Sequence, residues 1–304
     1  MTARHAPMTA PNASWTVGVF FGFLGMLGFS GTLAATRVAV ADFSTLAITS
    51  ARIVVAGFLG GVTLVLTGRT ALPERRHLIA IAVMGLGLAA GYPFFLAVAL
   101  QSVPAVHGAV VTGLAPAATA IIAVLRAGER PPPVFWLACA AGIAAVLAYA
   151  YDAGAGQFSV ADGWLLLALL CLGVAYVEGG RVSAELGGTT TLSWAMLFLT
   201  PFAAGPLVWS LRDADLASVA PWSWVSIAYL GIVSMFLAAI FWYRGLAAGG
   251  IARIGQINLL LPLAALVWPT LFLGEEITTT ALASAVVVLA AMMVCLKARV
   301  RRRA

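Results

Sequence analysis

Charged residues are scarce in this chain. They make up 9% of its 304 residues, and Lys297 is the single lysine among the 17 basic side chains. So little charge excludes an ordinary soluble domain, in which about a quarter of the residues are charged. A phosphate loop of the form G-x-x-x-x-G-K-[ST] is also excluded, because it needs a lysine within a glycine-rich segment. A nucleotide-driven pump is therefore not expected.

Cysteine is equally rare. The 3 cysteines are Cys139, Cys171 and Cys295, and each falls on a different predicted helix. Cysteines at such isolated positions indicate neither a disulfide framework nor a metal site. We expect no metal and no cofactor.

Hydrophobic sequence, in contrast, is abundant: 62% of the residues are apolar and the mean hydropathy is +1.03. A helix that spans a bilayer needs roughly 20 apolar residues. Ten such segments are predicted, at Thr16–Thr36, Ser44–Leu66, Leu78–Leu100, Val106–Leu125, Val134–Tyr151, Gly163–Gly180, Thr191–Leu211, Trp222–Leu246, Ile251–Leu273 and Thr279–Leu296. The chain is thus predicted to be an all-α membrane protein with ten transmembrane helices.

The basic residues divide unevenly between the two sides of this topology. One side holds Arg4, Arg69, Arg75, Arg76, Arg126, Arg130, Arg181, Lys297, Arg299, Arg301, Arg302 and Arg303. The other side holds Arg37 and Arg212. Because cytoplasmic loops carry the excess of lysine and arginine, both termini are predicted to be cytoplasmic in an inner (plasma) membrane. The net charge of +6 then reflects this anchoring and contact with membrane lipid, and no nucleic-acid partner is expected.

Two stretches of the chain repeat each other 146 residues apart. Leu114, Pro116, Ala118, Leu125, Gly128 and Glu129 recur as Leu260, Pro262, Ala264, Leu271, Gly274 and Glu275. Shared proline, glycine and glutamate at one spacing indicate a duplicated unit. Ten spans give five per unit, and an odd number inverts the second unit relative to the first. Such inverted repeats are typical of secondary transporters, with a substrate site between the halves.

The predicted organisation follows from this duplication. A cytoplasmic tail at 1–15 precedes a first five-helix repeat at 16–151. The second, inverted repeat covers 163–297, and a basic cytoplasmic tail follows at 298–304.

The paired segments Val106–Arg130 and Ile251–Glu276, each with Leu-x-Pro and a terminal Gly-Glu, resemble the EamA-type exporters of the drug/metabolite transporter superfamily. This resemblance implies a ten-helix transporter, functional as a monomer, that exports amino acids or other small amphipathic metabolites. Tyr92 makes the chain most similar to the aromatic amino-acid exporters of the YddG group. That group has aromatic residues before the fourth-helix proline, where Gly113-Leu114-Ala115 stands here, which indicates a smaller or differently shaped cavity.

Polar and aromatic side chains within the predicted spans are the candidates for substrate binding, because such groups are costly in a bilayer. The substrate-binding candidates are Tyr92, Thr112, Tyr176, Trp242, Tyr243, Gln256 and Asn258. Amides and hydroxyls suit a zwitterionic substrate. Two alternatives stay open: the amides can bond between helices, and Trp242 and Tyr243 can belong to the interfacial aromatic belt, which is the favoured role at their depth.

A proton or charge role is considered for His107, Arg52 and Glu178. His107 can carry a coupling proton or make an interfacial hydrogen bond. Arg52 can attract a substrate carboxylate or pair with Glu275, and the structural pair is the favoured prediction.

Three other functions compete with this prediction. Gly28-Phe29-Ser30-Gly31 matches the G-x-S-G of rhomboid intramembrane proteases, with Ser30 as the nucleophile, but ten spans and a duplication do not resemble that family. Efflux of drugs or other metabolites by the same fold is the closer alternative. A channel would not require the duplicated architecture. The sequence therefore predicts a transporter and no enzyme.

Overall fold

A computed structural model describes residues 13–127, 132–153, 158–212, 214–249, 257 and 260–297. These residues form ten helices, four of them in consecutive parts. The helices are α1 (Ala13–Ser30 and Thr32–Ala39), α2 (Thr45–Leu66), α3 (Arg75–Gly85, Leu86–Gly91 and Tyr92–Ala99), α4 (Ala105–Thr112 and Ala115–Ala127), α5 (Pro133–Ala153), α6 (Val160–Leu186), α7 (Gly188–Leu211), α8 (Pro221–Ala228, Tyr229–Leu237 and Ala238–Gly249), α9 (Leu261–Leu273) and α10 (Thr279–Lys297).

Local sequence explains several helix ends. The Ser44 hydroxyl accepts a hydrogen bond of 3.1 Å from the Ala47 amide and so begins α2. Ser159 and Asp162 form a capping box at the start of α6. Gly187 and Gly274 have φ values of 82° and 66°, a region that favours glycine, and they end α6 and α9.

Seven of the helical segments in the described part of the chain are long and apolar enough to cross a membrane. Shorter apolar helices lie at α4, α9 and α10. The protein is therefore a multi-pass membrane protein. Its two ends differ in charge: we call the end with Arg69, Arg75 and Arg181 the basic end, and the end with Asp162 and Glu275 the acidic end.

The packing of the helices follows the duplication. Under the duplication, each of the helices α1–α5 corresponds to the helix five places later in α6–α10. In the structure, α2 packs against its counterpart α7, and α5 packs against its counterpart α10. The contact of α3 with α6 likewise corresponds to that of α8 with α1. The second part of α4, Ala115–Ala127, also begins and ends 146 residues before α9, Leu261–Leu273. The fold is two inverted five-helix repeats.

Two helices contain a π-helical segment at corresponding positions. In α3 it covers Leu86–Gly91, and in α8 it covers Tyr229–Leu237. The sequence predicts a local opening of the backbone near Tyr92, since Pro93 lacks an amide proton. The π-helical segment lies directly before these two residues. Such segments are rare and occur often at functional sites.

Two predicted spans are divided. Gly31 separates the two parts of α1, and Gly113-Leu114 forms a turn between the two parts of α4, which was predicted as one helix over Val106–Leu125. Glycines on the first helix allow a close contact with α8: a Cβ on Gly25 would lie 2.8 Å from the Trp242 backbone nitrogen. On Gly28 it would lie 2.7 Å from the Ala238 Cβ. Small residues thus let α1 and α8 approach closely.

Candidate substrate site

A central cavity of about 530 Å³ lies between the two repeats. Its lining comes from α1, α2, α3 and α4 of the first repeat and from α6, α7, α8 and α9 of the second. Most of the lining is apolar, with a few hydroxyls, two tyrosines, one tryptophan and one arginine. Its volume is in the usual range for sites of small molecules, about 300–1,000 Å³.

The cavity is closed towards the acidic end. Its lining residues Leu33, Ala109 and Ala265 are buried and belong to a hydrophobic cluster with Leu100 and Leu165, which are fully buried. Towards the basic end, Tyr176 is 46% exposed, and no atom of the described residues lies within 4 Å of a Cβ placed on Gly180. The cavity is therefore accessible from the basic end.

Polar contacts between the repeats reinforce the closed acidic end. The Glu275 carboxylate accepts hydrogen bonds from the amides of Ala105 and Val106, at 2.9 and 2.8 Å, and so caps the N-terminus of α4. His107 Nε2 lies 2.7 Å from the Asp162 carboxylate, which joins α4 to α6. A carboxylate at a helix N-terminus is also favoured by the helix dipole.

These contacts correct the predicted Arg52–Glu275 pair. Glu275 bonds to backbone amides of α4, and Arg52 is not its partner. The prediction failed because it used only the depth of each residue along its helix. Backbone amides at the start of a neighbouring helix leave no mark in the sequence that would identify them as partners.

Four of the predicted substrate-binding residues line the cavity: Tyr92, Thr112, Tyr176 and Trp242. Thr112 donates to the Gly108 carbonyl at 2.7 Å, within its own helix. The interfacial belt was the favoured role of Trp242, but its side chain is partly buried at the cavity. The other three candidates, Tyr243 with its side chain and Gln256 and Asn258 entirely, lie outside the described residues.

The remaining polar candidates lie elsewhere. His107 is buried, at 5% exposure, next to Asp162 and the Tyr149 ring. Glu178 is buried on α6, where its carboxylate lies 3.5 Å from Arg181. In the described part of the chain, neither residue contributes to the cavity lining.

The Ser30 hydroxyl, the candidate nucleophile of the protease alternative, is engaged in structure. It donates to the Leu27 carbonyl at 2.8 Å and accepts a bond of 2.6 Å from the Trp268 indole nitrogen. These bonds join α1 to α9 near the turn at Gly31. A hydroxyl held by an indole donor serves helix packing.

Arg52 is the one charged side chain that the described residues contribute to the cavity lining. It is 3% exposed, and its Nε and Nη1 atoms have no hydrogen-bond partner in the described part of the protein. An arginine within a spanning helix costs up to about 3 kcal/mol, the value at the helix centre on the more permissive insertion scale. An uncompensated cost of this size is typical of a functional group.

One lining contact was missed by the sequence reasoning. The hydroxyls of Thr32 and Ser234 lie 2.7 Å apart and join α1 to the π-helical segment of α8. Ser234 lies inside the predicted eighth span, so the cost of a polar group in the bilayer was a signal that could have identified it. Met235, next to it, also lines the cavity but carries no such signal.

Comparison with known proteins gives the family. Residues 16–151 and 159–296 each match the EamA-like transporter family. The chain is 40% identical over 262 residues to the uncharacterized transporter YdeK of Bacillus subtilis (strain 168), covering 86% of this chain and 91% of that protein. A solved crystal structure superposes with a TM-score of 0.62 at 17% identity, covering 91% of this chain and 97% of the other, which shows a shared fold. The chain therefore belongs to the EamA-like transporter family, within the drug/metabolite transporter superfamily, and is a membrane transporter and not an enzyme.

Proposed function

We propose that this transporter exports small amphipathic metabolites, amino acids first among them, across the inner membrane by alternating access. The observation that carries the proposal is the central cavity between two inverted repeats, closed at the acidic end and accessible at the basic end. Two related halves can exchange conformations, which supplies the opposite state with the acidic end open.

The direction of export rests on the charge of the two ends. By the positive-inside rule, the basic end with Arg69, Arg75 and Arg76 faces the cytoplasm, and both termini lie there too. The cavity is then accessible from the cytoplasm. A substrate made inside the cell enters this state directly, and it leaves after the acidic end opens.

The chemistry of the lining favours an amphipathic substrate. Apolar side chains such as Leu172 and Met235 would bind the apolar part, and Tyr92 and Thr112 offer hydroxyls to the polar part. Tyr176 and Trp242 add aromatic surface towards the basic end. Tyr243, Gln256 and Asn258 remain proposed members of the site by their sequence positions.

Aromatic amino acids are the proposed subset, from the similarity to the YddG group and from the aromatic surface of Tyr92, Tyr176 and Trp242. Efflux of drugs or other metabolites by the same fold is the second candidate. Drug efflux is favoured by the apolar character of most of the lining, because an apolar surface can bind apolar molecules of many different shapes.

Transport by purified protein in liposomes tests the proposal. Radiolabelled phenylalanine, tyrosine, leucine and alanine are loaded inside vesicles of known protein orientation, with a hydrophobic dye as the drug probe. We expect transport of amino acids and its loss in Tyr92→Ala and Asn258→Ala, while both variants stay folded in the membrane. Transport of the dye alone would favour drug efflux, and wild-type transport by both variants would remove these residues from the site.

A further inference from the structure

We infer that Arg52 binds the negatively charged group of the substrate, so that the transported class is organic acids with one carboxylate, amino acids included and the corresponding amines excluded. This inference rests on the proposed function and names the group that the site recognises. Its basis is the position of Arg52, the absence of a countercharge in the described lining, and the shape of the cavity around it.

The position of Arg52 leaves its guanidinium available to a ligand. The side chain lies two turns into α2, about 10 Å from the first residue of that helix at the acidic end. It is 3% exposed and contributes to the lining of the cavity. The Nε and Nη1 atoms have no partner among the residues that the structure describes. A guanidinium whose donors are unused inside a cavity is a ready binding group for a carboxylate.

The carboxylates around the closed acidic end have other partners. Glu275 bonds to the amides of α4, and Asp162 contacts His107. Asp42 accepts a bond from the Ser223 hydroxyl and another from the Ala220 amide. No aspartate or glutamate belongs to the described cavity lining. The interior field is therefore positive, and it favours an anionic group on the ligand.

The surroundings of Arg52 set the orientation of the ligand. Tyr92 lies on the neighbouring α3 and lines the same part of the cavity, where its hydroxyl can donate to a second carboxylate oxygen. The apolar and aromatic lining comes from both repeats, with Phe29 and Leu88 in the first and Met235 and Trp242 in the second. The substrate thus places its carboxylate at Arg52 and its apolar body against this shared lining.

An ammonium group finds weaker recognition in this cavity. In the described lining, hydroxyls such as those of Thr32, Thr112 and Thr119 can accept bonds from it, but none of them carries charge. A carboxylate is consequently necessary for recognition and an ammonium is dispensable. The inference therefore predicts transport of acids that lack the amine altogether.

Two matched families of compounds test this requirement in proteoliposomes. The first is phenylalanine, 3-phenylpropionate and phenethylamine, and the second is leucine, 4-methylpentanoate and isopentylamine. Each family keeps one apolar body and removes the amine or the carboxylate. We expect the wild-type protein to transport the amino acid and the acid in at least one family, and the amine at least tenfold more slowly.

Substitutions of Arg52 test whether this side chain causes the requirement for a carboxylate. We expect Arg52→Gln to lower transport of both carboxylates at least tenfold, and Arg52→Lys to recover part of it because the positive charge remains. Arg244→Gln is the matched control, since Arg244 is an exposed arginine on α8 that lies over the Phe21 ring and is not part of the cavity lining. This control is expected to transport all compounds like the wild type.

The thermal stability of the purified variants separates binding from a structural role. A guanidinium that serves substrate binding is unpaired in the empty protein, so Arg52→Gln should keep or raise the melting temperature. A lower melting temperature together with unchanged selectivity would make Arg52 structural and overturn the inference. Equal transport of amines and acids by the wild type would overturn it while the proposed function stands. Transport of no compound in either family would overturn both.

Discussion

The Glu275 carboxylate bonds to the two amides of Ala105 and Val106 at the closed acidic end, and its removal should change the balance between the two states proposed for the transporter. The bonds measure 2.9 and 2.8 Å, and both amides belong to buried residues. In Glu275→Ala these amides lose their partner in the closed end, whereas water satisfies them when the end opens. The substitution therefore destabilises one state more than the other.

The size of this effect follows from the bonds. Hydrogen bonds to a charged group contribute about 1.5–3 kcal/mol, and loss of a helix cap costs about 1 kcal/mol. Because Glu275 is partly exposed, we take about 2 kcal/mol for the whole contact. At 1.4 kcal/mol for each factor of ten, the open fraction of the acidic end should rise roughly 30-fold.

Thiol labelling measures that fraction. Thr112→Cys places one cysteine in the cavity, in a background without Cys139, Cys171 and Cys295. A membrane-impermeant thiol reagent applied at the acidic end should label it roughly 30-fold faster in the Glu275→Ala background.

The adjacent carboxylate offers the matched control for this experiment. Glu276 is exposed, and Glu276→Ala removes the same charge from the same loop without removing a cap of α4. Its labelling rate should stay at the level of the parent protein. Equal rates in the Glu275 and Glu276 variants would refute the closing role of the contact, because charge alone would then explain both.

Three further predictions concern packing, the contact between the repeats and topology. Gly25→Ala brings a Cβ within 2.8 Å of the α8 backbone and should lower the melting temperature in detergent, whereas Gly205→Ala, with nothing within 4 Å, should keep or raise it. A double-mutant cycle of Thr32→Val and Ser234→Ala, followed by chemical unfolding, should give a coupling of about 0.6 kcal/mol, and zero coupling would contradict the 2.7 Å bond. A single cysteine at Gln101, an exposed residue at the acidic end, should react with an impermeant reagent from the periplasm only, and reaction from the cytoplasm would reverse the proposed topology.

The sequence predicted the architecture because the relevant signals are local or periodic. Long apolar runs mark the helices, and the Leu-x-Pro and Gly-Glu repeat gives the duplication. Even the division of α4 has a partial signal, since Gly113 lies three residues before Pro116. These features depend on which residues occur and at what spacing, which a sequence states directly.

The candidate site was predicted less completely, because it depends on which way each side chain points. Trp242 and Arg52 have depths along their helices that the sequence fixes, but depth alone suggested the aromatic belt for one and a pair with Glu275 for the other. Both side chains instead line the cavity. The partners of Glu275 are backbone amides, which every residue has and which no residue type marks.

The two π-helical segments carry information about the origin of the protein. Well under 1% of residues in proteins adopt this conformation, yet here Leu86–Gly91 of α3 has its counterpart, 146 residues later, inside Tyr229–Leu237 of α8. Two independent acquisitions at one corresponding place would be a rare coincidence. The wider helical turn was therefore present in the five-helix ancestor before its gene was duplicated and fused. To enclose such a cavity, that ancestor would have had to pair with an inverted copy of itself, so its membrane would have had to hold the same polypeptide in both orientations.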